Sequence, residues 1–149
     1  MKRFITLLLA VATVLTLAAC GGKGTADVDA RALADALAQR VQFDSAMADI
    51  DAGDYLELPE GCTSAAYMAT SSTVEEIFVV SCKDKTDAAA VKVSMQSLLD
   101  SQKQEMERYQ PEEVSRLNGA IFATYGTCVV LCVTSDTNTA NAVIKEHVG

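Results

Sequence analysis

Apolar residues after Asp27 recur at steps of three and four, which is the spacing of one face of an amphipathic helix. The apolar positions are Ala30, Leu33, Ala34, Leu37, Ala38 and Val41. Asp27 or Asp29 is suited to cap this helix, because a carboxylate accepts hydrogen bonds from the free N–H groups of the first turn. We therefore predict a helix that begins shortly after residue 27.

Four apolar runs rich in β-branched and aromatic residues predict two pairs of strands. Residues 62–70 and 75–82 flank a short polar connection, and residues 120–125 and 127–134 flank Gly126. Between these hairpins, apolar positions at helical spacing predict a long helix that begins at Thr86 or Asp87 and ends before Pro111. Its predicted inner face comprises Val91, Met95, Leu98, Leu99, Gln102, Met106 and Tyr109.

The two ends of the domain are less regular. Residues 43–61 are acidic and interrupted by Gly53, Pro59 and Gly61, so either a long loop or a short helical turn near residues 45–50 fits them. A last helix is predicted after residues 136–138, which supply capping side chains.

The resulting order is α-β-β-α-β-β-α. We predict an α+β fold, in which a four-stranded antiparallel or mixed sheet packs with one long and two shorter helices. Two of the strands are apolar on both faces, as residues 77–82 and 128–133 show. Both faces of these strands are apolar, in the favoured interpretation, because helices cover both faces of the sheet. The alternative is that one apolar face pairs with a partner.

The amino terminus has the pattern of an export signal. Lys2 and Arg3 precede an apolar stretch, residues 4–17, that is too short to span a bilayer as a helix. The stretch ends in Leu17-Ala18-Ala19-Cys20, which resembles the bacterial lipobox, and this resemblance implies lipidation of Cys20 and cleavage before it. We predict a lipoprotein signal peptide at 1–19, a lipidated cysteine with a flexible glycine-rich tether at 20–26, and a single domain at 27–149.

Charge narrows the set of partners. Removal of Lys2 and Arg3 from the 12 basic residues leaves 10 against 20 acidic ones, a net charge of −10 for the mature chain. Such a surface repels phosphate groups, so we expect no nucleic-acid partner and expect membrane contact only through the lipid anchor.

The mature domain has four further cysteines, and an even number in an exported domain permits disulfides. They are Cys62, Cys82, Cys128 and Cys132. Cys82 is a candidate disulfide partner of Cys128 or Cys132 if their strands are neighbours, whereas buried free thiols are the favoured interpretation. We expect no metal site, because no pair has zinc-finger spacing. We expect no cofactor either, because the sequence has no glycine pattern that binds nucleotides or phosphate.

Other candidates for chemistry are weaker. The pairs Glu75-Glu76 and Glu112-Glu113 fit a solvated surface better than a calcium site or a pair of functional carboxylates. The acidic residues between 44 and 60 are also interpreted as solvated. His147, the only histidine, has no cysteine or serine nearby in sequence. We identify no catalytic residue.

The chain resembles a family of small, uncharacterised lipoproteins of Gram-positive bacteria, grouped as a domain of unknown function. The likeness rests on the lipobox, on residues 73–77, on residues 109–114 at the end of the long helix, and on the hairpin at 120–136. The four cysteines of the mature domain depart from that pattern. The resemblance implies a lipid anchor on the extracytoplasmic face of the cell membrane and transfers no active site.

These observations favour a non-enzymatic binding or accessory module with an unknown protein or cell-envelope partner. The alternative is an extracytoplasmic thiol- or metal-dependent enzyme that uses the cysteines.

Overall fold

The computed structural model describes residues 27–149, so the predicted signal peptide and the lipidated cysteine with its tether lie outside the described residues. The helices are α1 (Ala30–Arg40), α2 (Lys85–Tyr109), α3 (Val114–Asn118) and α4 (Thr137–Val148). The strands are β1 (Met47–Ile50), β2 (Thr63–Ala69), β3 (Glu76–Ser81), β4 (Ile121–Tyr125) and β5 (Cys128–Val133). Two short 3₁₀ helices, Ala52–Asp54 and Pro111–Glu113, complete the described elements.

The five strands form one sheet in the order β1-β2-β3-β5-β4, and every neighbouring pair is antiparallel. The α+β class predicted from sequence is confirmed. β3 and β5 lie at the centre, where Phe78 is opposite Leu131 and Ser81 is opposite Cys128. Their central position explains why both of their faces are apolar.

Helices cover both faces of the sheet. On one face, α1 and α4 pack with Leu33, Leu37 and Ile144 against Ile77 and Val130. On the other face, α2 and α3 pack against the sheet through the side chains Val91, Met95, Leu99 and Leu117. The prediction that helices cover both faces of the central strands is therefore confirmed, and no central strand within residues 27–149 leaves an apolar face open to a partner.

The sequence predicted four strands, whereas the sheet has five. β1 lies in the segment where the sequence favoured a loop or a helical turn, and it is held by pairing with β2, where Met47 is opposite Ala69. Its four residues have little apolar alternation of their own, so the edge of β2 determines that they form a strand. The short helix α3, which buries Leu117, was also missed.

The amino-terminal caps of α1 and α2 are aspartates, as the capping preferences of helices predict. Asp29 accepts a hydrogen bond from the Ala32 N–H, and Asp84 accepts one from the Asp87 N–H. Helix α2 therefore begins at Lys85, one residue before the earlier of its two predicted starts. Tyr109 was expected to pack inward but is 74% exposed at the end of α2. None of the helices within residues 27–149 has both the length and the apolarity needed to cross a membrane.

Candidate functional site

Two of the four cysteines meet at one end of the sheet. Cys62 immediately precedes β2 and Cys82 immediately follows β3, so the hairpin brings them opposite each other. Their Sγ atoms are 3.0 Å apart. Cys62 is partly exposed, whereas Cys82 is buried. We call this end of the sheet, which contains Cys62, Cys82 and the turn at Gly126, the thiol end.

Cys128 and Cys132 lie elsewhere. Both point into the core layer that β5 shares with α1 and α4, whereas Cys82 points into the opposite layer beneath α2. The structure therefore does not support the disulfide that the sequence suggested between Cys82 and Cys128 or Cys132, because the sheet separates these side chains. The neighbour of Cys82 is Cys62, which the sequence did not single out as its partner.

The buried thiols are poor nucleophiles. Burial raises the pKa of Cys132 to about 12, and the nearby carboxyl groups of Glu76 and Glu75 add to this rise. Burial, together with the contact from Cys62, also raises the pKa of Cys82 to about 12. Burial raises the pKa of Cys128 as well. At neutral pH these thiols are protonated, and a protonated thiol neither attacks a substrate nor binds a metal well.

A cleft opens beside the buried thiol of the pair. It has a volume of about 620 Å³, and its walls include residues 27–31, Thr63, Ser64, Cys82 and Lys83. The amino end of the described chain is fastened here, because the Ser81 hydroxyl donates a hydrogen bond to the Val28 carbonyl oxygen. Lys83 Nζ donates to the Glu60 carbonyl oxygen at 3.1 Å and so ties the segment before Cys62 to the segment after Cys82.

The opposite end of the sheet contains two buried carboxyl groups, and we call it the acidic end. Glu75 and Glu76 are each only 1% exposed, so the interpretation of this pair as a solvated surface was wrong. Glu76 Oε2 accepts a hydrogen bond from Gln102 Nε2 at 2.7 Å. Its Oε1 atom and the Gln102 Oε1 atom have no hydrogen-bond partner within residues 27–149. Burial raises the pKa of Glu76 to about 7, although the Gln102 hydrogen bond opposes the rise.

Arg116 compensates the charge of Glu75. Its Nη1 atom lies 3.6 Å from Glu75 Oε1 and 3.4 Å from Glu113 Oε2, and its Nη2 atom donates to Asp44 Oδ2. The Asp44 backbone N–H donates to Glu75 Oε2 at 2.8 Å. Arg116 and the Asp44 N–H therefore give the buried Glu75 carboxyl group a nearby cation and a backbone hydrogen-bond donor. This network connects α3 to the loop after α1 and to the start of β3.

Arg116 was not identified from the sequence, and Glu75 and Glu76 were interpreted as solvated rather than buried. A local signal for the burial of Glu76 was present, since it begins a central strand whose following residues, 77–80, are entirely apolar. No local signal pointed to Arg116, which is 41 positions away from Glu75.

The remaining predicted residues form no site of their own, although Asp44 and Glu113 contact Arg116 in the network around Glu75. All six acidic residues from 44 to 60 are exposed, and they lie along different elements. Glu112 is exposed and Glu113 contacts Arg116. His147 Nδ1 contacts the Val143 carbonyl oxygen within its own helix. Within residues 27–149, no three His, Cys, Asp or Glu side chains are arranged to hold a metal ion. Cys20, the predicted lipidation site, lies outside the described residues.

Comparison with known families gives one match. Residues 61–134 match the family described as Domain of unknown function (DUF4358). The matched segment runs from the residue before Cys62, through β2, β3, α2 and β4, to the end of β5, and it includes Cys82, both buried glutamates and Arg116. Searches of curated proteins and of solved structures found no match. The chain thus contains a DUF4358 domain, a domain of unknown function, at residues 61–134.

Proposed function

We propose that this chain is a lipoprotein of a Gram-positive bacterium, anchored through a lipid on Cys20 to the extracytoplasmic face of the cell membrane. Its folded domain acts there as a non-enzymatic binding or accessory module. The observation that carries the proposal is Leu17-Ala18-Ala19-Cys20 directly after a charged and then apolar leader. Two acyl chains bury enough CH₂ groups for stable anchoring, at about 0.8 kcal/mol for each group.

The fold is compatible with a short tether. The six residues between Cys20 and Asp27 span at most about 20 Å when fully extended. The described chain begins at the thiol end of the sheet, where Val28 is held by Ser81. In the proposed arrangement the thiol end faces the membrane, and the acidic end, one strand length away, faces outward.

The anchor is tested by metabolic labelling with an alkyne fatty acid in a bacterial host that processes lipoproteins. We expect label on the wild-type protein and none on Cys20→Ala. The matched control is Cys128→Ala, which removes a buried cysteine and should keep the label. Label that persists in Cys20→Ala, or an unlabelled wild-type protein, would overturn the proposal.

The non-enzymatic role is supported by the state of the thiols. The raised pKa values of Cys82, Cys128 and Cys132 oppose the thiolate that a thiol-dependent enzyme requires. Thiol alkylation of the folded protein at pH 7 distinguishes the two roles. We expect Cys128 and Cys132 to react only after denaturation, whereas rapid labelling of either would favour the thiol-enzyme alternative.

The binding role is tested by chemical cross-linking in intact cells, followed by purification of the lipidated protein. The matched control keeps residues 1–26 and replaces the domain with an unrelated one, so that both proteins share the anchor and location. We expect a cross-linked envelope component that is specific to the native domain. Identical products from both proteins would argue against a binding module.

A further inference from the structure

The position of Cys62 and Cys82 in the sheet determines how their side chains meet. The register of β2 and β3 pairs Thr63 with Ser81, so the next pair along the same ladder is Cys62 and Cys82. In an antiparallel sheet the N–H and the C=O of one residue point toward the same neighbouring strand. The Cys82 N–H donates to the Thr127 carbonyl oxygen, on the side of β5, and the Cys62 N–H donates to the Pro59 carbonyl oxygen. Neither cysteine N–H is therefore directed at the other cysteine. The two residues lie opposite each other as a pair that shares no backbone hydrogen bond.

Such a pair has the spacing that a disulfide needs. Cα atoms of non-hydrogen-bonded pairs are about 4.5 Å apart, which falls inside the range of about 4.4–6.8 Å found in disulfides. The Sγ atoms are 3.0 Å apart, so bond formation requires a movement of about 1 Å to reach the S–S distance of about 2.04 Å. Rotation about the two Cα–Cβ bonds changes the distance between the Sγ atoms while the backbone stays in place.

We propose that Cys62 and Cys82 form a dithiol–disulfide site that closes on contact with a disulfide oxidant, while Cys128 and Cys132 remain thiols. The inference rests on the proposed function only for its setting, an oxidising compartment outside the membrane. The bond would join the open end of the β2–β3 hairpin beside the cleft that Cys82 lines.

The reaction is thiol–disulfide exchange with an oxidised exchange protein or a small disulfide. The Cys62 thiolate attacks a sulfur of the oxidant, because Cys62 is the partly exposed member of the pair. The S–S bond of the oxidant breaks, a mixed disulfide forms, and one thiol of the oxidant leaves. The Cys82 thiol, which burial holds protonated at neutral pH, then attacks Cys62 Sγ and gives up its proton, and the departing sulfur of the oxidant takes up that proton and leaves as the second thiol. Two electrons and two protons pass to the oxidant, which ends as two thiols.

The test uses the full-length chain purified from membranes in detergent. The protein is reduced, exposed to oxidised glutathione, quenched in acid, alkylated after denaturation and analysed by peptide mass spectrometry. We expect one disulfide, between the peptides that contain Cys62 and Cys82, and alkylation of Cys128 and Cys132. Absence of that linkage, or linkage of either cysteine to Cys128 or Cys132, overturns the inference.

Two variants provide the controls. Cys62→Ser changes only a partly exposed side chain, and we expect it to form no internal disulfide. Cys128→Ser should form the same linkage as the wild type. We also expect oxidation to raise the urea midpoint of the wild type and to leave that of Cys62→Ser unchanged. An equal response to oxidation in both proteins would contradict the inference.

A separate measurement tests the proposed extracytoplasmic location independently of the dithiol–disulfide site. If the protein is quenched directly in growing cells, the linkage should be present before any oxidant is added. A fully reduced pair in cells, together with rapid closure in glutathione, would count against the extracytoplasmic location and support the dithiol–disulfide site.

Discussion

The buried carboxyl group of Glu76 makes the stability of the domain depend on pH. Its pKa is raised to about 7 in the folded state, whereas a solvated glutamate has a value near 4.5. Between these two values the folded chain retains a proton at Glu76 that the unfolded chain has released. The free energy of unfolding therefore falls as the pH rises from about 4.5 to about 7, and it levels off above pH 7.

The magnitude follows from the difference between the two pKa values. A difference of about 2.5 pH units at 1.36 kcal/mol per unit corresponds to a loss of about 3 kcal/mol. Glu76→Gln removes the titrating group and preserves its shape. The new amide can donate to Gln102 Oε1, which has no hydrogen-bond partner within residues 27–149 of the wild-type structure. We expect the variant to match the wild type near pH 4 and to exceed its stability by about 3 kcal/mol at pH 8.

The assay is urea unfolding followed by circular dichroism, at a series of pH values between 4 and 8.5 under reducing conditions. Subtraction of the wild-type curve from the Glu76→Gln curve cancels the titration of groups that the variant leaves unchanged. Glu105→Gln is the matched control because Glu105 is exposed on α2, and it should give a difference close to zero at every pH. A difference for Glu76→Gln that is constant over this range, or that falls with rising pH, would refute the reasoning.

Three further perturbations test other parts of the structure. Arg116→Ala leaves the buried Glu75 carboxyl group without its cation and should lower the free energy of unfolding at neutral pH by about 3–5 kcal/mol, measured in urea. A loss below about 1 kcal/mol would contradict a buried ion pair. Asp84→Ala removes the cap of α2 and should cost about 1 kcal/mol, with a matching loss of protection from hydrogen exchange in the first turn only. Reduction of a Cys62–Cys82 disulfide should cost about 3 kcal/mol, because the bond closes a loop of about 20 residues; equal urea midpoints with and without reductant would contradict this.

The candidate site illustrates the limit of local reasoning. The alternation of residues along β5 correctly predicted that Cys128 and Cys132 share one face. It did not predict that Cys82 points to the other face, because the relative facing of two strands depends on their register. It also did not identify Cys62, whose position opposite Cys82 follows from the pairing of β2 with β3.

The partners of the two buried glutamates could not be identified from local sequence either. Glu75 precedes the central strand β3 and Glu76 is its first residue, and this position could be recognised in the sequence. The groups that make their burial tolerable, Arg116 and Gln102, come from helices far along the chain. Solvated and buried carboxylates look alike in a sequence until the packing partner is known.

The sequence by itself determined α1, the long helix α2 and the strands β2 to β5, together with the α+β class. Helical and strand periodicities and the aspartate caps are local signals, so a short window of residues contains them. Only the tertiary structure decided that residues 47–50 form an edge strand, which sulfur lies beside Cys82, and that two glutamates are buried. Each of these depends on contacts between segments that are distant in the chain, and the free energy of such contacts is absent from any local pattern.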